Sequence, residues 1–122
     1  MQTAITIGMI LIALFWISRT ILPPKGVTTV SIEAAKHDLE NNALSKHWVD
    51  VRTPSEFKRN HIKGFTNIPL QSLQQQANQL DPSKELILIC QSGSRSMAAA
   101  KILKKLGYPH ITNVKGGLNA WK

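Results

Sequence analysis

Of the twenty residues 3–22, fourteen are apolar, and no side chain before Arg19 is charged. As a helix rising about 1.5 Å per residue, such a run covers about 30 Å, the thickness of a bilayer's hydrocarbon. A helix apolar on every face needs a bilayer or a larger protein around it. The hundred residues that remain hold 37 apolar ones, enough for one small domain. The chain therefore divides into a transmembrane anchor at 1–22, a stiff Pro23-Pro24-Lys25-Gly26 linker and a domain at 27–122. Two other readings of the apolar run are a cleaved signal peptide and a buried core helix. The first needs a basic start and a small-x-small cleavage site, and MQTA has no basic side chain. Trp16 and Arg19 suit an interfacial belt and a snorkelling cation. Arg19 and Lys25 flank the C-terminal end, so the positive-inside tendency predicts a single pass with the domain in the cytoplasm.

Fifteen basic against seven acidic residues give a net charge of +8, a surface drawn to anionic lipid. No basic run interleaves with aromatics, so a nucleic-acid partner is not expected. The single cysteine, Cys90, excludes an intrachain disulfide, a Cys-rich metal knuckle and a dithiol redox pair. His37, His47 and His110 lack metal-ligand spacing, and no P-loop, EF-hand or helical zinc motif occurs. No metal or cofactor is expected.

Within the domain, strand-like and helix-like stretches alternate, which predicts an α/β fold with a central parallel sheet flanked by helices. Residues 28–30 suit a short strand, and Ser31 caps a helix to about Asn41. Residues 47–51 read as a buried strand. Thr53-Pro54-Ser55-Glu56 is a capping box with Pro at the first helical position. Residues 70–80 read as one Gln-rich helix with Leu73, Ala77 and Leu80 inward. Leu86-Ile87-Leu88-Ile89 is a continuous apolar run, the mark of a central strand covered on both faces. A helix follows to Leu106, with Ala99, Ile102, Leu103 and Leu106 inward, and Gly107 ends it. Residues 111–114 form the last strand. Gly116-Gly117 turns into a short helix.

The chemistry concentrates in Cys90-Gln91-Ser92-Gly93-Ser94-Arg95-Ser96, between the end of the apolar strand and the start of a helix. In α/β folds that junction holds ligands. Successive backbone N–H groups of a Gly-containing loop converge on an anion, and the helix N-terminus adds to them. A cysteine sulfur there favours its thiolate, and the Arg95 fork suits an anionic substrate. The plain alternative is that Cys90 is a small buried hydrophobe.

WVDVRTPSEF, HIKGFTNIPL, LILICQSGSRS and the terminal GGLNAW, in that order, resemble the rhodanese-like sulfurtransferase family across the whole domain. The chain as a whole resembles its small, membrane-anchored bacterial members. The resemblance implies a rhodanese-like domain in which Cys90 accepts a sulfane sulfur from a small sulfur-donor anion, thiosulfate or a persulfide, and passes it to a thiol or cyanide. It implies that the loop Gln91, Ser92, Gly93, Ser94, Arg95 and Ser96 binds that sulfur. It also implies that Asp50, Arg52 and Glu56 support the site, with Arg52 paired to Glu56. His61 lies in the stretch where the family has Gly-His-x-x-Gly, with Asn60 in place of the glycine. Its reading is structural, as is that of Gly116, Gly117 and Trp121. Related phosphatases and arsenate reductases have Cys-x5-Arg. This chain's Cys-x4-Arg gives a tighter ring, sized for sulfur. A different class of role is a membrane-tethered binding module with little turnover.

Overall fold

Leu86, Ile87, Leu88 and Ile89 are each no more than 2% exposed. A strand buried on both faces must lie inside a sheet, and this one does. In the computed structural model, which describes residues 1–21 and 25–121 with the side chains of 20 and 21 left out, it is the middle of five parallel strands. Pro23 and Pro24 of the expected linker lie outside the described residues. The elements in chain order are α1 (Gln2–Ile21), β1 (Val27–Val30), α2 (Ile32–Asn42), β2 (Lys46–Asp50), α3 (Pro54–Arg59), β3 (Thr66–Asn67), α4 (Leu73–Gln76), β4 (Glu85–Ile89), α5 (Ser94–Lys105), β5 (Ile111–Val114) and α6 (Gly117–Ala120). The strand order is β1-β5-β4-β2-β3.

Side chains alternate across β4, and each face meets its own cover. Leu86 and Leu88 join Ala99, Ala100 and Leu103 of α5 and Leu73 of α4. Ile87 and Ile89 join Ile32 and Ala35 of α2, with Phe57 and Trp121 at the margin. Burying these apolar groups on both sides of one sheet is the main force holding the domain together. The expected α/β architecture, a central parallel sheet flanked by helices, is the observed one.

Local signals hold in detail. Ser31 Oγ accepts from Ala34 N at 3.2 Å and caps α2. The Thr53–Glu56 capping box closes in both directions, at 3.3 Å and 3.1 Å. Gly107, at φ +95°, follows the end of α5. Two helical expectations differ. Residues 70–80 are not one helix. The four-residue α4 is flanked by 3-10 turns at Leu70–Ser72 and Ala77–Gln79. The Tyr108 hydroxyl bonds the Ala77 and Leu80 carbonyls, fixing the chain where a longer helix would have to continue. Leu73, Ala77 and Leu80 are nevertheless buried, so the apolar stripe was read correctly. In α5 the buried face is Ser96, Ala99, Ala100 and Leu103. Leu106 stands beyond the last helical turn and is 45% exposed rather than inward, and Ile102 is only partly buried.

The described side chains of the apolar helix α1 are nearly all exposed. Its window Gln2–Arg19 has a mean hydropathy of 1.5 and no buried share. A core helix within this chain is therefore not what it is. By length and composition it can cross a bilayer, a test that signal sequences also pass.

Candidate active site

Cys90 follows the last residue of β4, where the sheet ladder ends and backbone groups need other partners. Its carbonyl accepts from Leu118 N at 2.9 Å, and the Gln91 carbonyl accepts from Asn119 N at 3.0 Å. Those two bonds tie the loop to α6. The approach is so close that a Cβ on Gly117 would stand 2.3 Å from Cys90 O and 2.7 Å from Gln91 O. Gly117 also sits at φ +58°, so the position needs glycine twice over. The sequence reading treated it as terminal packing. The structure makes it the part of α6 pressed against the loop backbone.

The sulfur lies in the expected ring. Gly93, at φ +111°, turns its N–H onto Sγ at 3.0 Å. Ser96 Oγ stands 3.4 Å from Sγ, and the backbone amides of Ser96 and Ser92 also favour the charged sulfur electrostatically. Cys90 is fully buried, which by itself pushes a thiol up. The Ser96 hydroxyl and the amides of Ser96, Gly93 and Ser92 outweigh that, and the thiol lies below its ordinary value. The plain hydrophobe reading accounts for the burial but not for this ring of donors.

Ser96 is itself held. Its Oγ lies 3.0 Å from Gly93 O and 2.5 Å from Asn113 Oδ1. Asn113 is a buried polar residue of β5, beside β4 in the sheet. Sequence reasoning did not single it out. The signal available was an Asn within a strand otherwise buried throughout.

The carboxylates and arginines pair differently from the expectation. Arg52 does not pair with Glu56. Its Nη2 lies 2.9 Å from Asp50 Oδ2, its Nε bonds both Asp50 oxygens at 3.1 Å, and its backbone N donates to Asp50 Oδ1 at 2.9 Å. Nη2 also donates to the Asn60 carbonyl at 2.6 Å, and Nη1 to Gln91 Oε1 at 3.3 Å. Asp50 and Arg52 are 1% and 2% exposed, and a carboxylate at that depth needs its partner close by. The chain bends at Arg52, and the bond from its backbone N to Asp50 Oδ1 turns the arginine back onto that carboxylate. Glu56, in the first turn of α3, is left to Arg95. That pair is bidentate, Nη1 to Oε1 at 2.6 Å and Nη2 to Oε2 at 2.9 Å. The Arg95 bond holds the Glu56 carboxyl down to about 2 against the cost of burial, helped by Thr53. Arg95 is therefore a brace between α5 and α3 rather than an open fork.

Of the other expected loop residues, Ser92 and Ser94 are exposed at the rim. Gln91 spans the mouth, its Nε2 on Asn119 Oδ1 at 2.6 Å. Beside the ring is a hollow of about 170 Å³ lined by Arg52, Glu56, Arg59, Asn60 and Gln91. Arg59 is exposed there and was not foreseen. Asn60 has an extended backbone, φ −165°, which any residue adopts, so the missing glycine shifts nothing. His61 stacks on Phe57 with centroids 3.9 Å apart, and its Nδ1 lies 2.8 Å from the Phe57 carbonyl. No group of three or more metal-ligating side chains occurs among the described residues.

A parallel α/β domain whose central strand ends on a sulfur ringed by main-chain amides defines a cysteine-based anion-loop protein. Its sequence and fold match those of one family. The rhodanese-like domain matches residues 31–122, and the chain belongs to the rhodanese-like sulfurtransferase family. It is 36% identical over 95 residues to the putative sulfur carrier protein YrkF of Bacillus subtilis, covering 78% of this chain and 51% of that protein. It is 34% identical over 74 residues to thiosulfate sulfurtransferase PspE of Escherichia coli, covering 59% of this chain and 71% of that one. A rhodanese-like domain protein of Staphylococcus aureus superposes with a TM-score of 0.71 at 25% identity, covering 78% of this chain and 91% of that chain. The chain spans about half the length of YrkF. Rhodanese-type sulfur transfer is the activity of the family.

Proposed function

We propose that this chain transfers a sulfane sulfur through Cys90. The Cys90 thiolate attacks the outer sulfur of thiosulfate, forming an S–S bond as the S–S bond of the donor breaks, and sulfite leaves with the electron pair. A low-molecular-weight persulfide donor reacts alike, with a thiolate leaving. An acceptor thiolate or cyanide then takes the outer sulfur and returns Cys90 as thiolate. The amides of Ser92, Gly93 and Ser96 hold the negative charge of both thiolate and persulfide. The observation that carries this reading is the 3.0 Å bond from Gly93 N to Sγ within that ring. Arg95 serves here by bracing the loop, and Arg59 in the adjoining hollow offers its guanidinium to the oxygens of the donor. Asp50 and Arg52 position the loop through Gln91. Two half-reactions on one nucleophile predict ping-pong kinetics. Intact mass after thiosulfate treatment tests the reading. Wild type gains one sulfur and Cys90→Ser gains none, whereas equal loading of the two overturns it.

We further propose that residues 1–22 anchor the chain in a membrane, with 23–26 as linker, 27–122 as the transferring domain, and the domain on the cytoplasmic side. The long, apolar and exposed α1 supports the anchor, and Arg19 and Lys25 support the orientation. Alkaline carbonate leaves an anchored protein in the membrane pellet. Release to the supernatant rejects the anchor.

A further inference from the structure

The five strands run parallel, so the loops leaving them, that of Cys90 included, crowd one end of the sheet. The connections entering them crowd the other. β1 starts at Val27, so the tether from α1 joins the domain at the entering end, opposite the cradle. β4 from Glu85 to Cys90 separates the two ends by about 16 Å. Four residue steps separate Ile21 of α1 from Lys25, a reach of at most about 14 Å. With α1 in a bilayer, the proposal on which this inference rests, the entering end stays beside the headgroups.

That end is built for such a neighbour. Beyond α1 and the Met1 that precedes it, the exposed large hydrophobic residues among those described are Leu44, 93% exposed, and Leu106, 45% exposed. Both lie at the entering end. Leu44 follows α2 on one face of the sheet, and Leu106 follows α5 on the other. One exposed leucine is ordinary on a protein surface. Two at the same end of the sheet as the tether, with none elsewhere on the described domain, form a pattern. Lys25, Lys104 and Lys105 stand with them, and Lys104 Nζ reaches within 2.5 Å of where a Gly26 Cβ would be. Of the acids nearby, Asp38 and Glu85 hold Lys46 and Asp81 Oδ1 accepts from Ser83 N at 2.9 Å, which leaves the exposed Glu40 beside Leu44 as the acid that the lysines of this end must outweigh. The cradle end is also basic, through Lys58, Arg59, Lys63 and Lys115. Charge alone therefore does not choose the end, and the leucines and the tether do.

We infer that the entering end is a lipid-docking face. Leu44 and Leu106 enter the headgroup layer of an anionic phospholipid surface, and Lys25, Lys104 and Lys105 meet its phosphates. The domain then stands upright on the membrane, and its sulfur cradle opens to water, toward soluble donors and acceptors.

The test uses the full chain in vesicles of phosphatidylcholine alone or mixed equally with phosphatidylglycerol. Flotation is followed by acylation with an impermeant amine reagent, read lysine by lysine by mass spectrometry. In the anionic vesicles Lys25, Lys104 and Lys105 should react roughly fivefold more slowly than in phosphatidylcholine, while Lys58, Lys63 and Lys115 are unchanged. Leu44→Glu with Leu106→Glu should abolish that protection and leave sulfur loading of Cys90 intact. Equal protection at both ends, or in both lipids, in protein that floats overturns the docking face alone. Failure to float overturns the anchor and the docking face with it, while sulfur loading still reports the enzyme reading separately.

Discussion

The floor and the rim of the cradle are built to different tolerances. On the floor, Cys90, Ser96, Asp50 and Arg52 are no more than 2% exposed, and Gly117 presses its backbone against that of Cys90. On the rim, Ser92 and Ser94 are exposed, and Arg95 and Glu56 keep 34% and 26% of their side-chain surface. Both regions contain an arginine–carboxylate pair, so the difference is one of depth rather than chemistry. A buried ion pair is weak evidence of net stabilisation, yet breaking it strands a charge. An exposed pair contributes little either way. The floor fixes where the sulfur sits, and the rim is the more exposed of the two.

The sharpest way to break this contrast is Asp50→Ala. It leaves the Arg52 guanidinium buried and uncompensated, and should cost about 3–5 kcal/mol in denaturant unfolding. A cost below 1 kcal/mol would make floor and rim alike. Gly117→Ala comes next. Its methyl group meets the Cys90 and Gln91 carbonyls head on, and overpacking with a left-handed backbone should cost about 2–4 kcal/mol. Persulfide loading should fall with it, because the loop must move. Ser96→Ala keeps the backbone donor and removes the hydroxyl. The Cys90 thiol should then titrate higher, because the Ser96 side chain is one of the groups that lower it, with stability changed less than in the first two variants. Glu56→Gln should do least, about 1 kcal/mol or less. Its pH dependence has a definite sign. The carboxyl is held down from 4.5 to about 2 in the folded chain, so its contribution is complete above about 4.5. It fades as pH falls from there through about 2. The stability gap between wild type and Glu56→Gln should close over that window and stay constant above it.

What the sequence disclosed follows the same division between local and distant causes. The β4 run, the Thr53–Glu56 box, Gly107 and the Cys-to-helix loop are set by neighbours in the chain, and each appears where the residues place it. Partners set by the sheet were harder to read. The pairing of Arg52 with Glu56 was implied by the family resemblance. But Arg52 lies in the bend between β2 and the Thr53 cap, outside the helix, and turns back on Asp50. Arg95 reaches Glu56 only because the parallel β2–β4 pairing brings α3 and the start of α5 to one end of the sheet. Asn113 and Gly117 meet the loop for the same reason, from the far end of the sequence. The single long helix expected over 70–80 failed because Tyr108, some thirty residues on, takes the Ala77 carbonyl.

The claim beneath all of this is that the amide ring stabilises a negative sulfur. One cysteine in the chain makes a direct reading possible: ultraviolet thiolate absorbance against pH, with Cys90→Ser as the blank. The account predicts a midpoint below the free-cysteine value of about 8.5. A midpoint at or above that value would mean that burial outweighs the ring, and the account would be contradicted.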